Sequence, residues 1–234
     1  MKPSEWFTEG LRNPAFSIVL TVVAYALALQ LHRRWRWLPP IVVACVPIVA
    51  ALLLFREPYA EYNRGGSWLT WWLGPATVAL AVPMYRHGQA LRGALPRLAL
   101  VVLAGSIVGM ATAGFTAHLL GAPLPVVMSA VPKSVTTPIA IEVSRELKGI
   151  PQITIALVIL AGVLGATFGP LLLRMFGVRG DLAIGAAMGT ASHGIGTASL
   201  VRNSELQASV SSWAMAAAGV CVSLMAALLM LFLR

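Results

Sequence analysis

The stretch VPKSVTTPIA, residues 131–140, puts Lys133 among residues otherwise apolar enough to form part of a membrane span. Lys133 follows Gly121 by about twelve residues, which in a helix rising 1.5 Å per residue is a depth of roughly 18 Å, near a bilayer centre. An unpaired cation at that depth costs about 2.5–3.5 kcal/mol on insertion scales, so it requires a cavity or a partner. Thr137 followed by Pro138 reads as a helix N-cap and first helical position, which predicts a half-helix starting there. The free N–H groups of such a start carry partial positive charge and would face the midplane beside Lys133, Ser134 and Thr136. This assembly suits a carboxylate. A second stretch, GTASHGIGTA at residues 189–198, offers the hydroxyls of Ser192 and Thr197, the imidazole of His193, and the open backbone of Gly194 and Gly196. Glycine there lets a small polar ligand approach the chain closely. The two stretches are expected to form one substrate-binding site. His193, the midplane group that titrates nearest neutrality, is its candidate proton carrier.

Competing readings attach to each of these residues. Lys133 could be a structural cation paired with Glu142 or a backbone carbonyl, and His193 a hydrogen-bonded packing residue. Glu142 and Glu146 flank Arg145 and Lys148 and read as solvated or locally paired, and Asp181 and Glu205 as helix-end residues. Catalysis finds little support. Ser192 and His193 are adjacent, but there is no G-x-S-x-G elbow and no acidic orienter. No H-E-x-x-H or clustered Cys/His pattern suggests a metal, and no cofactor is implied. Cys45 and Cys221 lie inside apolar runs without partner spacing and read as packing residues.

The elements that must position these residues are membrane helices. Of the 234 residues, 58% are hydrophobic and only 11% charged, and the mean hydropathy is +0.82, far from an ordinary soluble domain. The net charge of +9 is spread singly between apolar runs, without the basic face that nucleic acid requires. The first apolar run is followed by Arg33, Arg34 and Arg36 and not by a small-residue cleavage site, so it reads as an anchor. About 20 apolar residues make a span. Eight are expected, near 14–32, 38–55, 67–84, 97–120, 122–144, 151–174, 181–201 and 208–232. The loops carrying Arg33/Arg34/Arg36, Arg86/Arg92/Arg97, Arg145/Lys148 and Arg202 hold a basic excess that marks them cytoplasmic, with both termini outside.

Two of the eight spans, broken near 122–148 and 181–203, are interrupted at their centres. Such backbone is tolerated at membrane depth where it is buried in protein or lines a wet cavity. The breaks recur: Pro75, Pro132 and Gly189 are spaced 57 residues apart, as are Gly105, Gly162 and Gly219. A helix-pair unit therefore repeats, and corresponding interrupted segments in repeats point to a transporter site near the midplane. The repeats would be parallel if each unit crosses twice and inverted if a broken segment is re-entrant. The fold class expected is all-α, with about eight spans, repeated helix-pair units and two discontinuous helices meeting near the midplane, in one domain over 1–234. The G-x-x-x-G at 105–109 predicts a homo-oligomer.

In that order and spacing, GPATVALAVP, PKSVTTPIAIEVSREL and GTASHGIGTA resemble the LrgB/CidB family of bacterial membrane proteins, to which the plastid glycolate/glycerate translocator is related. The resemblance covers roughly residues 10–232, and its motifs fall on Pro132–Pro138 and Ser192–Ala198. It implies a multi-pass protein of the bacterial cytoplasmic (inner) membrane that works with a small LrgA-like membrane partner. It further implies either transport of short carboxylates such as glycolate, glycerate or pyruvate, or a holin/antiholin-like role in murein hydrolase export and lysis. From the residues together with the resemblance, a secondary, proton-coupled transporter of small organic anions is the leading expectation, and the holin-like regulator the alternative.

Overall fold

The computed structural model describes residues 3–35, 38, 40–72, 75, 78, 79, 81–86, 92–201 and 204–232. They form two compact units, Met1–Val78 and Ala79–Arg234, where the sequence reading treats 1–234 as one domain. The first unit holds α1 (Pro3–Leu11), α2 (Pro14–Arg34), α3 (Pro40–Leu54) and α4 (Tyr59–Trp71). Asn13 starts α2 by accepting a hydrogen bond from Ala15 N at 3.0 Å, with Pro14 in the first turn, where its missing N–H costs nothing. Phe7, Leu11, Ile48 and Leu52 form the buried centre of this unit.

The second unit holds α5 (Ala81–Arg86), α6 (Leu95–Leu119), α7 (Leu124–Ala130), α8 (Thr137–Glu146), α9 (Pro151–Met175), α10 (Asp181–Val201) and α11 (Glu205–Phe232). Among the described residues four helices, α2, α6, α9 and α11, are long and apolar enough to cross a membrane, and α3 is a shorter apolar helix. On α6 and α9 large apolar side chains such as Leu100, Val101, Val108, Leu160 and Leu171 stand exposed, as lipid-facing residues do. The expected span at 67–84 falls partly outside the described residues.

The expected spans at 122–144 and 181–201 do not run through as single helices. Thr154 Oγ1 lies 3.0 Å from Ser129 O and 2.7 Å from Ser144 Oγ, so two residues fifteen positions apart meet at one hydroxyl. A continuous helix would hold them about 22 Å apart. α7 and α8 are thus the arms of a hairpin, reversed through the turns of residues 131–136, where Lys133 N donates to Ala130 O and Val135 N to Pro132 O. α10 reverses as well. A Cβ placed on Gly196 would stand 3.2 Å from Met188 O, eight residues earlier, a separation that a straight helix stretches to about 12 Å. The reversal is at His193, whose φ of 40° and ψ of −135° interrupt the helix.

Contacts at glycines give the direction of each arm. The first hairpin follows α6 inward from its C-terminal end, with Gly114 beside Val127 and Val131 and Gly109 beside Ser134. The second follows α9 inward from its C-terminal end, with Gly169 beside Met188, Gly165 beside Ser192 and Gly162 beside His193 and Ile195. Both apices therefore stop near the middle of a 25-residue helix. α9 starts at the base of the first hairpin, since Ile150 N donates to Ser129 Oγ at 2.7 Å. α6 starts near the base of the second, where Leu98 packs with Ala186 and Val210. Each unit of one long helix and one hairpin consequently runs opposite to the other, so the repeat is inverted. The glycines spaced by 57 share a role, Gly105 against Thr190, Gly162 against His193, and Gly219 against Ile139.

This geometry corrects the expected loop assignment. Because residues 122–146 return to the end they came from, Arg92 and Arg97 lie at the opposite end of the unit from Arg145 and Lys148.

Candidate functional site

The site is built where the hairpin apices approach α6. Gly105 and Gly109 are one turn apart on one face of this helix. A Cβ at Gly105 would meet Thr190 Cγ2 at 3.2 Å and one at Gly109 would meet Ser134 Oγ at 3.7 Å. Residues of both hairpins thus stand at neighbouring levels against one small-residue face. The G-x-x-x-G motif is engaged within the chain, which removes the argument from this motif for a homo-oligomer. A second link is Val158 of α9. Its side chain is buried with Val131, Val135 and Ala140 of the first hairpin, and its carbonyl accepts from His193 Nε2 of the second at 2.9 Å.

In the first hairpin Lys133 is half-buried, and its Nζ lies 3.3 Å from Ser134 Oγ. Among the described residues no carboxylate lies within ion-pairing distance of it. Glu142, the partner the competing reading requires, pairs instead with Arg145 at 2.9 Å. The expected cap is displaced by one residue. Thr136, extended at φ −62° and ψ 146°, is the N-cap, Thr137 is the first helical residue and Pro138 the second. The Thr136 hydroxyl makes no capping bond, so the N–H groups of Thr137 and Ile139 lack a helical acceptor. Ser134, Thr136 and Thr137 are all partly accessible.

In the second hairpin the expected residues divide. Ser192 and His193 are buried, at 2% and 4% exposure. Ser192 packs over Gly165, where any Cβ would overlap its side chain. His193 must carry its proton on Nε2 to donate to Val158 O, and its ring lies against Gly162. Thr197 is fully buried and lies 2.8 Å from Ser211 Oγ of α11 while donating to His193 O. These three tie the apex of the hairpin to α9 and α11. Gly194 is partly accessible and Gly196 buried, where it permits the close return of the chain past Ser192 and Met188. Thr190 and the Val158 carbonyl were not anticipated; the glycine of the 57-residue repeat opposite Thr190 was the available signal. No group of three or more His, Cys, Asp or Glu residues suited to a metal occurs among the described residues.

The sequence profile of the LrgB-like family matches residues 21–232, through both hairpins. This chain belongs to the LrgB-like family. It is 38% identical to YxaC of Bacillus subtilis over 201 residues, 85% of this chain and 87% of that protein. It is 35% identical to YwbG of the same organism, covering 93% of this chain and 97% of the relative. The antiholin-like protein LrgB of Bacillus cereus is 33% identical over 89% of this chain and 92% of its own length. No solved structure matches this LrgB-like chain.

Proposed function

We propose that this LrgB-like protein is a secondary carrier of small organic anions, holding a short carboxylate where the two hairpin apices meet. The observation carrying this reading is Lys133: a half-buried ammonium without a nearby carboxylate among the described residues, beside the uncapped start of α8. Two positive elements side by side favour an anion. The inverted pair of hairpins is the arrangement in which a carrier can expose one central site alternately to either side. Glycolate, glycerate and pyruvate are the candidate substrates, protons moving through His193 the candidate coupling, and a small LrgA-like membrane protein the candidate partner in a bacterial inner membrane.

Uptake into proteoliposomes of radiolabelled glycolate, glycerate and pyruvate, with and without such a partner, tests this directly. A charge-assisted hydrogen bond to a carboxylate is worth roughly 1.5–3 kcal/mol, so Lys133→Met should weaken binding by about tenfold to a hundredfold with insertion and folding intact. Lys133→Arg should also be impaired, because a planar fork does not replace a compact ammonium. Normal transport by Lys133→Met overturns the assignment. Should His193→Gln keep the wild-type dependence on a pH gradient, His193 is not the proton carrier.

A second reading is favoured by the names of the relatives. The proteins of Bacillus cereus and Bacillus mycoides are named antiholin-like, and those names support a holin/antiholin-like regulator more than a carrier. On that reading, expression would change dye leakage and the timing of lysis in cells, and Lys133→Met would do so as well as the wild type.

A further inference from the structure

Helical hydroxyls in this protein are generally satisfied by the carbonyl four residues earlier. Thr112 donates to Val108 O, Thr167 to Val163 O, Thr190 to Ala186 O and Ser212 to Ala208 O, each at 2.7–2.8 Å. Ser106 of α6 departs from this habit. It is 3% exposed, and its Oγ has no hydrogen-bond partner among the described residues. A buried hydroxyl left without a partner is unfavourable, and serine has an easy local remedy that is not taken here.

The surroundings of Ser106 give the departure a meaning. It lies in the buried stripe Leu98, Val102, Ser106, Met110 of α6. One turn before it Val102 packs on Ala214 and Ala218 of α11, and one turn after it Met110 packs with Val131 and Val135 of the first hairpin. Its sequence neighbour Gly105 faces Thr190 of the second hairpin, and Gly109 faces Ser134, which is adjacent to Lys133. The serine is thus on the inward face of α6 at the level where both apices and α11 come together. The other two buried hydroxyls without partners among the described residues lie elsewhere: Ser17 packs against Gly65 in the first unit, and Ser209 is in the opening turns of α11.

We propose that Ser106 is a ligand-binding residue of the junction, its Oγ–H donating to an oxygen of the same small carboxylate that Lys133 holds. α6 then supplies a third contact besides the two hairpins, and a contact from a long helix orients the anion relative to parts that move. This rests on the carrier reading and narrows its site.

Ser106→Ala separates a binding role from a packing one, because the two agree on stability and differ in their effect on affinity. Removing a hydroxyl that only packs should leave the melting temperature in detergent unchanged or raised and leave binding unaltered. The proposal expects the same unchanged or raised melting temperature, with the apparent affinity for glycolate, glycerate or pyruvate in proteoliposomes and in ligand-induced thermal shift weakened by about fivefold to fiftyfold. Ser106→Cys, which keeps a weaker donor on a somewhat larger side chain, should fall between, and carries the comparison if Ser106→Ala does not fold. Wild-type response to a carboxylate with an equal response by Ser106→Ala overturns the Ser106 assignment alone. If the wild type neither transports nor is stabilised by any of the three probes, the carrier reading and the Ser106 assignment fall together.

Discussion

At the scale of single residues, His193 shows how a local conformation is held by its neighbours. A non-glycine residue at φ 40° and ψ −135° costs on the order of 1–3 kcal/mol. The opposing interactions are the Nε2 bond to Val158 O, the Thr197 bond to the His193 carbonyl, and burial against Gly162. Two substitutions separate these effects. His193→Ala keeps the backbone strain and loses the ring contact, whereas His193→Gly loses the contact and relieves the strain. The glycine variant should therefore unfold at a higher temperature than the alanine variant, the reverse of the usual order in a helix interior. Equal melting temperatures, or alanine the more stable, would show that the apex is not strained. Gly165→Ala is expected to be more damaging than Gly66→Ala, because the first places a methyl on the Ser192 side chain and the second meets a flexible Asn63 amide. Overpacking costs about 1–3 kcal/mol, and differential melting of the two variants would measure it.

At the scale of elements, the first hairpin is closed at its base by a small polar cluster. Thr154 joins Ser129 and Ser144, Ser129 Oγ donates to Pro125 O at 2.6 Å and accepts from Ile150 N, and Gly149 leaves no room for a side chain beside them. In hydrocarbon this satisfies backbone that the turns would otherwise leave unpaired. Thr154→Val keeps the shape and removes the shared hydroxyl, so it should destabilise by about 1–3 kcal/mol. Limited proteolysis in detergent should then cleave within 124–150 earlier than in the wild type. Unchanged cleavage would mean that the base is held by the apolar contacts of Val143 and Leu147 alone.

At the scale of the molecule, the inverted repeat fixes which charges share an end. Arg92 before α6 and Arg97 in its first turn lie at the same end as Arg174 and Arg179 at the close of α9, with Arg86 near Glu205 at 3.9 Å. Arg145 and Lys148 lie at the other end, accompanied by Glu142 and Glu146. The positive-inside rule predicts that the arginine-rich end faces the cytoplasm. With Cys45 and Cys221 replaced by serine, single cysteines at Arg179 and at Lys148 should react with an impermeant maleimide from opposite faces, Lys148 from outside intact cells. Eight simple spans instead place these two positions on opposite faces too, so the deciding pair is Arg97 and Lys148: opposite faces for a hairpin, the same face for a crossing segment.

Much of this was legible in the chain. Composition alone requires a membrane protein, because 58% hydrophobic residues cannot be buried in a domain of this size. The long helices α6, α9 and α11 follow from unbroken apolar runs of spanning length, and Pro132, Pro138 and Gly189–Gly196 mark where the backbone departs from a helix. What the sequence could not decide is whether a broken run continues or turns back. Both use the same residues at the same depth, and the difference is made by contacts between residues far apart in sequence. Thr154 gathers Ser129 and Ser144, and the Gly196 backbone passes Met188. The register of α8 escaped by one residue because Thr136 and Thr137 are alike as caps, and the turn before them, packed on α6, selects which becomes helical. The tertiary structure also assigned the G-x-x-x-G: its small face favours any close neighbour, and within this chain the neighbours are the two hairpins.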